Sequence, residues 1–207
     1  MSTYFNIFLK MNKEAKTNVD IHPILKQRWS PLAFADKPVE KEKLQRMFEA
    51  ARWAPSNNNL QPWRFVIGFK GDDTFNRILS TLIDTNAEWA ANAPALVCII
   101  GKKVNHKGDP NKVYPFDLGH AAAQMAFQAT ADGFNVRQIV GFTPRKAFEV
   151  LGIPDLYAAV SVMAVGYPGD PEKLSNPLKK LAKAERVRND IADVVYTGKF
   201  GQKANIF

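Results

Sequence analysis

Apolar positions along this chain recur at helical spacing in some stretches and as short unbroken runs in others. Across residues 40–54, Leu44, Met47, Phe48 and Ala51 fall at i, i+3, i+4 and i+7. That is the stripe of an amphipathic helix, with Pro38 marking its start and Pro55 its end. Residues 74–84 predict a second amphipathic helix through Phe75, Ile78, Leu79 and Leu82. Pro94 then opens Ala95-Leu96-Val97-Cys98-Ile99-Ile100, which reads as a buried strand. Residues 102–115 are polar, contain Gly and Pro, and carry no pattern. A segment of that length suits a lid or the mobile edge of a site. From Asp117 to Asp132, Leu118, Ala121, Ala122, Met125 and Ala129 form one helical stripe, while Ala123, Ala126, Phe127 and Ala131 make the helix apolar on most sides. Such a helix must be buried on several faces. Its alanines allow close approach of another helix, including one from a second subunit, and Gly133 supplies the stop.

The chain then runs through a short strand to Ile139-Val140, a Gly141-Phe142 turn and a helix from Pro144 to Leu151. Tyr157 to Val165 is a long β-branched run expected to be a central strand. Gly166-Tyr167-Pro168-Gly169-Asp170-Pro171 ends it abruptly. The tail beyond 172 is basic and half helical, closing with Val194-Val195-Tyr196. Helices and strands interleave without a repeat or a domain boundary, so a layered α/β or α+β domain is expected.

Composition narrows the setting. The 207 residues, 46% hydrophobic, suffice for one domain over 1–207 with a full core, residues 1–19 forming an N-terminal extension. No run approaches the ~18 apolar residues of a membrane span. Met1 to Lys16 lacks the apolar core and cleavage site of a secretory signal. Cys98 is the single cysteine, which excludes an intrachain disulfide and fits a reducing, cytoplasmic setting. Within its apolar run it reads as core filler rather than a nucleophile. The formal charge of +8 favours anionic partners. Lys173, Lys179, Lys180, Lys183, Arg186 and Arg188 face only Glu172 and Glu185 across residues 172–188. A solvated face, an internal phosphate site and a nucleic-acid or membrane patch all fit that excess. The last would want aromatic interleaving or groove-sized helices, which the chain lacks.

Reactive groups are scarce. No Gly-x-Gly-x-x-Gly follows a strand and no Gly-x-x-x-x-Gly-Lys-Ser/Thr appears. His22, His106 and His120 are isolated, so no metal site is expected. His120 reads as a hydrogen-bonded core residue. Gly-x-Ser-x-Gly is absent. Binding groups concentrate between Ala50 and Trp63, where Ser56, Asn57, Asn58, Asn59 and Gln61 lie between Pro55 and the Pro62-Trp63 pair. These groups suit a planar, polar-edged molecule; the plainer alternative is an Asn-rich turn stapled by prolines. Binding groups without reagents imply a borrowed reagent, a cofactor.

Three ordered segments resemble the FMN-dependent nitroreductase family. Arg28-Trp29-Ser30-Pro31-Leu32-Ala33-Phe34 is similar to its Arg-x-Ser-x-Arg-x-Phe opening. Ala54 to Trp63 is very close to its Ala-Pro-Ser-x-x-Asn-x-Gln-Pro-Trp signature. Arg186-Val187-Arg188 with Ile191 to Val195 is similar to its closing basic pair and amphipathic turn. The resemblance spans residues 22–201. It implies an α+β, three-layer fold with a mostly antiparallel central sheet flanked by helices, assembled as a homodimer. Arg28, Ser30, Arg186 and Arg188 would hold the FMN phosphate, with the backbone around Trp29 assisting, as a dianion wants bidentate guanidinium donors plus a hydroxyl. Pro55, Ser56, Asn57 and Asn59 would reach the flavin of the other subunit, and Gln61 either joins them or supports the loop. Val140 and Gly141 would pass beside the isoalloxazine, a backbone N–H directed at N5.

The implied activity is hydride transfer from NADH or NADPH, through the flavin, to an electron-poor small-molecule acceptor such as a nitroaromatic or quinone, in ping-pong order. No side chain need act as acid or base, so no catalytic residue is named. The chain departs from the family at Leu32, where Arg or Lys is usual. Either Arg64 or Arg137 substitutes, or the reduced flavin is less stabilised and its potential falls. Flavin fragmentation or reductive dehalogenation on the same fold, and a non-enzymatic basic nucleic-acid module, are the competing readings.

Overall fold

Strands β1 (Trp63–Phe69), β2 (Ala95–Lys102), β3 (Asn135–Ile139) and β4 (Tyr157–Gly166) hydrogen-bond in the order β1-β2-β4-β3, every neighbouring pair antiparallel. The structure is a computed structural model that describes residues 13–206. Around the sheet lie helices α1 (Pro23–Gln27), α2 (Lys41–Arg52), α3 (Asp73–Ser80), α4 (Asp84–Ala90), α5 (Tyr114–Ala131), α6 (Pro144–Leu151) and α7 (Asn176–Lys183).

Side-chain alternation along β2 divides the core in two. Ala95, Val97 and Ile99 join Met47, Ala51, Leu118 and Met125 of α2 and α5 on one face. Leu96, Cys98 and Ile100 join Phe75, Ile78, Trp89 and Ala147 of α3, α4 and α6 on the other. A central strand covered on both sides has no solvated face, which is why β2 and β4 are written as unbroken apolar runs. The result is the expected three-layer α+β sandwich. Burial pushes the Cys98 thiol up to about 12.

Some boundaries differ from expectation. The helix predicted over 74–84 stops at Ser80, because the Thr81 hydroxyl donates back to the Ile78 carbonyl (2.7 Å) and Leu82 pairs with Phe142 across an isolated bridge. The long apolar helix starts at Tyr114, three residues before Asp117, with Pro115 in its first turn, where no N–H is required. Gly133 ends it in the left-handed region at φ 81°. Residues 103–113 are then a folded turn organised by Asn105, whose side-chain oxygen accepts the Lys107 and Asp109 N–H groups at 2.8 and 2.9 Å.

Residues 1–12 of the expected extension lie outside the described residues. From Lys13 onward the segment is tied to the body: the Ala15 N–H donates to Lys26 O at 3.0 Å, and Lys13 Nζ to Ala184 O at 2.5 Å. One face of α5 is less covered than its composition requires. Ala123 and Phe127 are half-buried, and Phe116 is 69% exposed. Among the described residues no helix is long and apolar enough to cross a membrane.

Candidate functional site

The C-cap of α1 places the first site residues. Arg28 closes the helix through its N–H to Ile24 O (2.9 Å), and Trp29 then buries itself, leaving Arg28 half-buried and Ser30 exposed. The tail after α7 returns Arg186 and Arg188 to the same place. A cleft of about 300 Å³ results, lined by Arg28, Ser30, Arg137, Arg186 and Arg188, with Leu32 and Trp29 as its apolar wall. Arg28 Nη1 donates to Ser30 Oγ at 3.3 Å, and Arg137 Nη1 to Ser30 O at 2.9 Å.

The charges here oppose one another. Burial, then the neighbouring Arg188, lowers the Arg28 pKa. Burial, then Arg28 and Arg188, lowers that of Arg186. The carboxylate lining the cleft, Glu185, is engaged by Lys16 Nζ at 2.5 Å. The buried Trp29 Nε1 has no hydrogen-bond partner among the described residues. Guanidinium groups brought together beside a hydroxyl, with the one lining carboxylate already paired, have the chemistry that suits an oxyanion.

The Asn-rich loop is a separate construction. Asn58, Asn59 and Gln61 all adopt positive φ, at 48, 52 and 47°. Asn tolerates that region, but Gln does so rarely, so the loop holds backbone strain that its contacts must offset. The Ser56 hydroxyl accepts the Gln61 N–H at 3.0 Å, and Gln61 Nε2 donates to Asn59 O at 3.1 Å. Ser56 Oγ and Gln61 thus support the loop, while Pro55, Asn57, Asn59 and Gln61 are exposed. Beneath it, Asp117 Oδ1 accepts the Asn57 N–H at 3.1 Å. Asp117 is 1% exposed and its Oδ2 has no partner among the described residues. Sequence reasoning missed this residue; the available sign was a carboxylate in the first turn of an otherwise apolar helix.

His120 is not a core residue. It is half-buried, its Nδ1 lies 3.4 Å from Pro55 O, and Phe116 meets its ring edge-on at 4.4 Å. Alanine at neighbouring positions leaves the flank of α5 open, so the imidazole reaches the loop rather than the interior.

Val140 is 80% exposed, and Gly141 sits against α4. A Cβ on Gly141 would come 2.5 Å from Asn86 Nδ2, so a side chain there would displace the Asn86 amide from its bond to the Gly141 carbonyl. The Gly141 carbonyl accepts from Asn86 Nδ2 (3.0 Å) and the Ile83 N–H (3.2 Å). Its own N–H has no acceptor among the described residues.

Of the sequence-predicted residues, Arg28, Trp29, Ser30, Arg186 and Arg188 share one cleft. Pro55 to Gln61 and Val140-Gly141 stand apart from it in the single chain. Of the two cations considered in place of Leu32, Arg137 lines the cleft beside it. Arg64 folds onto its own loop, donating to Trp63 O (2.6 Å) and Gln61 O (3.3 Å). Among the described residues no group of three or more His, Cys, Asp or Glu is placed to hold a metal ion.

Fold and cleft together define an α+β protein in which the segment around Arg28 meets the tail after α7 in a cleft of converging guanidinium groups. The family model described as the nitroreductase family matches residues 25–87. A solved structure described as an oxidoreductase containing FMN is 32% identical, with a TM-score of 0.85, covering 93% of this chain and 98% of that one. A nitroreductase family protein of Streptococcus pneumoniae shares the fold at 19% identity, TM-score 0.68, with 92% and 100% coverage. A protein of Archaeoglobus fulgidus, described provisionally as an NADH dehydrogenase/NAD(P)H nitroreductase, is 28% identical over 153 residues, 69% of this chain and 82% of the relative. The chain belongs to the nitroreductase family.

Proposed function

We propose that this protein is an FMN-dependent oxidoreductase that takes hydride from NADH or NADPH and delivers it to an electron-poor small molecule, a nitroaromatic or quinone. The observation that carries the reading is the cleft in which Arg28, Arg137, Arg186 and Arg188 converge with Glu185 already paired elsewhere. A phosphate monoester supplies the missing charge, and its oxygens suit guanidinium forks and the Ser30 hydroxyl. In the same reading Pro55, Ser56, Asn57, Asn59 and Gln61 present the loop to the flavin across a homodimer seam. Val140 and Gly141 offer an open backbone flank and a free N–H to the ring.

When bound, FMN supplies hydride acceptance and donation at N5, in ping-pong order because donor and acceptor use one face. The chain itself would hold the phosphate, orient the ring edge and exclude water, a role that requires no side chain as acid or base. Leu32 stands where the resemblance leads one to expect a cation; Arg137, which lines the same cleft, would supply the charge that offsets reduction of the cofactor, and without it the potential would be lower. Residues 1–207 act as one domain.

Purified protein is expected to show the absorption bands of oxidised flavin and to bleach anaerobically with NADH or NADPH. Addition of a quinone or nitroaromatic then restores the colour. Arg188→Ala should lower FMN affinity about tenfold or more, since a charge-assisted contact contributes ~1.5–3 kcal/mol. A colourless protein that binds duplex DNA with a steep salt dependence would overturn the reading.

A further inference from the structure

The N-terminal segment, outside every motif above, lays one more cation against the arginine cleft. Lys13 lines it and is only 8% exposed. Its ammonium donates to Ala184 O, and among the described residues no carboxylate pairs with it. An ammonium carries three donors, and burying one with a single neutral acceptor is costly unless an anion completes its surroundings. Arg186, its cationic neighbour, makes the shortage worse rather than better.

The position of Lys13 is held from both sides. Arg186 Nη1 donates to Lys13 O (2.6 Å) and Lys26 O (2.8 Å), joining the segment to the end of α1. The Ala15 N–H donates to Lys26 O, and Lys16 pairs with Glu185 on the tail. Residues 13–16 therefore form a strap across the join between the two chain ends. It also engages the carboxylate that would otherwise compete for the cleft cations.

We propose that Lys13 is a phosphate-binding residue of the cofactor site, delivered by this strap. The proposal rests on the FMN reading and adds to it a residue from the N-terminal extension. A structural lysine would merely tether the strap to Ala184 O. The two roles separate when FMN is compared with riboflavin, which has the same ring and no phosphate.

Binding of FMN and of riboflavin to flavin-stripped protein is measured by fluorescence quenching for wild type, Lys13→Gln and Lys13→Arg. Gln keeps a donor for Ala184 O and removes the charge; Arg keeps the charge. Lys13→Gln is expected to weaken FMN about ten- to hundredfold, the span of a charge-assisted contact, and to leave riboflavin unchanged. Lys13→Arg is expected to recover most of the loss. Equal weakening of FMN and riboflavin, or no change in either, overturns the role of Lys13. Should the Gln variant not fold, an Arg variant that binds FMN no better than riboflavin overturns it as well. Wild-type protein that shows no preference for FMN over riboflavin removes the phosphate reading itself.

Discussion

The Cys98 thiol has no path to solvent and no positive neighbour, so nothing offsets the cost of ionising it inside the second core layer. With its pKa pushed up to about 12, it stays protonated across the neutral range and is inert as a nucleophile. Native protein at pH 8 is expected to leave a thiol-specific disulfide reagent unreacted, and one thiol should appear on denaturation. Rapid titration of the native protein would mean that the strand opens. Leu32 belongs to the same layer, 3% exposed. An apolar side chain in that wall shows why the cation usual in the family has no simple place here, and why Arg137, arriving from β3, is the candidate that takes over. Asp117 is the opposite case: a buried carboxylate kept because one oxygen holds the strained Asn57 turn in place.

Among elements, α2 and the end of β4 are joined by a polar contact at the N-terminus of the helix. Tyr167 Oη donates to Glu40 Oε2, and that bond, before any other cause, holds the Glu40 carboxyl at about 2 against an ordinary 4.5. A depressed carboxyl pKa contributes stability that is present above the unfolded value and lost as pH falls through the folded one. Urea midpoints should therefore decline between pH 4.5 and 2, and Tyr167→Phe should flatten that part of the curve. An unchanged slope in the variant would assign the acid loss to other groups. At this scale the sequence was largely readable. Periodicity located α2, β2 and α6 because each is set by its own stripe and its own prolines. It overran α3, whose end depends on a Thr81 hydroxyl and a Phe142 partner some sixty residues on. It also missed the first turn of α5, since Pro115 looked like a loop residue. The arginine cleft was legible only through resemblance: Arg28 and Arg188 have no local pattern in common, Arg137 entered only as one of two possible substitutes for the cation missing at Leu32, and Lys13 gave no sign until the fold brought it to the cleft.

At the scale of the whole molecule, α5 leaves Phe116 exposed and Ala123 and Phe127 only half-buried in one chain. The loop from Pro55 to Gln61 and the arginine cleft likewise remain separate. On the homodimer proposed above, a second copy covering α5 would account for both facts, burying the apolar stripe and carrying its loop to the partner's cleft. A charge placed in that stripe should break the contact, because an unpaired carboxylate cannot be buried cheaply. Phe127→Glu is expected to convert a dimer into a monomer by light scattering, and to lose flavin in the same step. A monomeric variant that retains its full flavin content would show that the site is complete within one chain.

The crowded guanidinium groups have a practical side. If the cleft holds the cofactor phosphate as proposed, protein stripped of it is expected to take up small oxyanions from the buffer, sulfate and phosphate included, because salt with a screening length of about 10 Å at 0.1 M only partly screens charges closer together than that. Material prepared in phosphate and material prepared in a zwitterionic buffer are therefore different reagents. Cofactor affinities obtained from the two are not interchangeable.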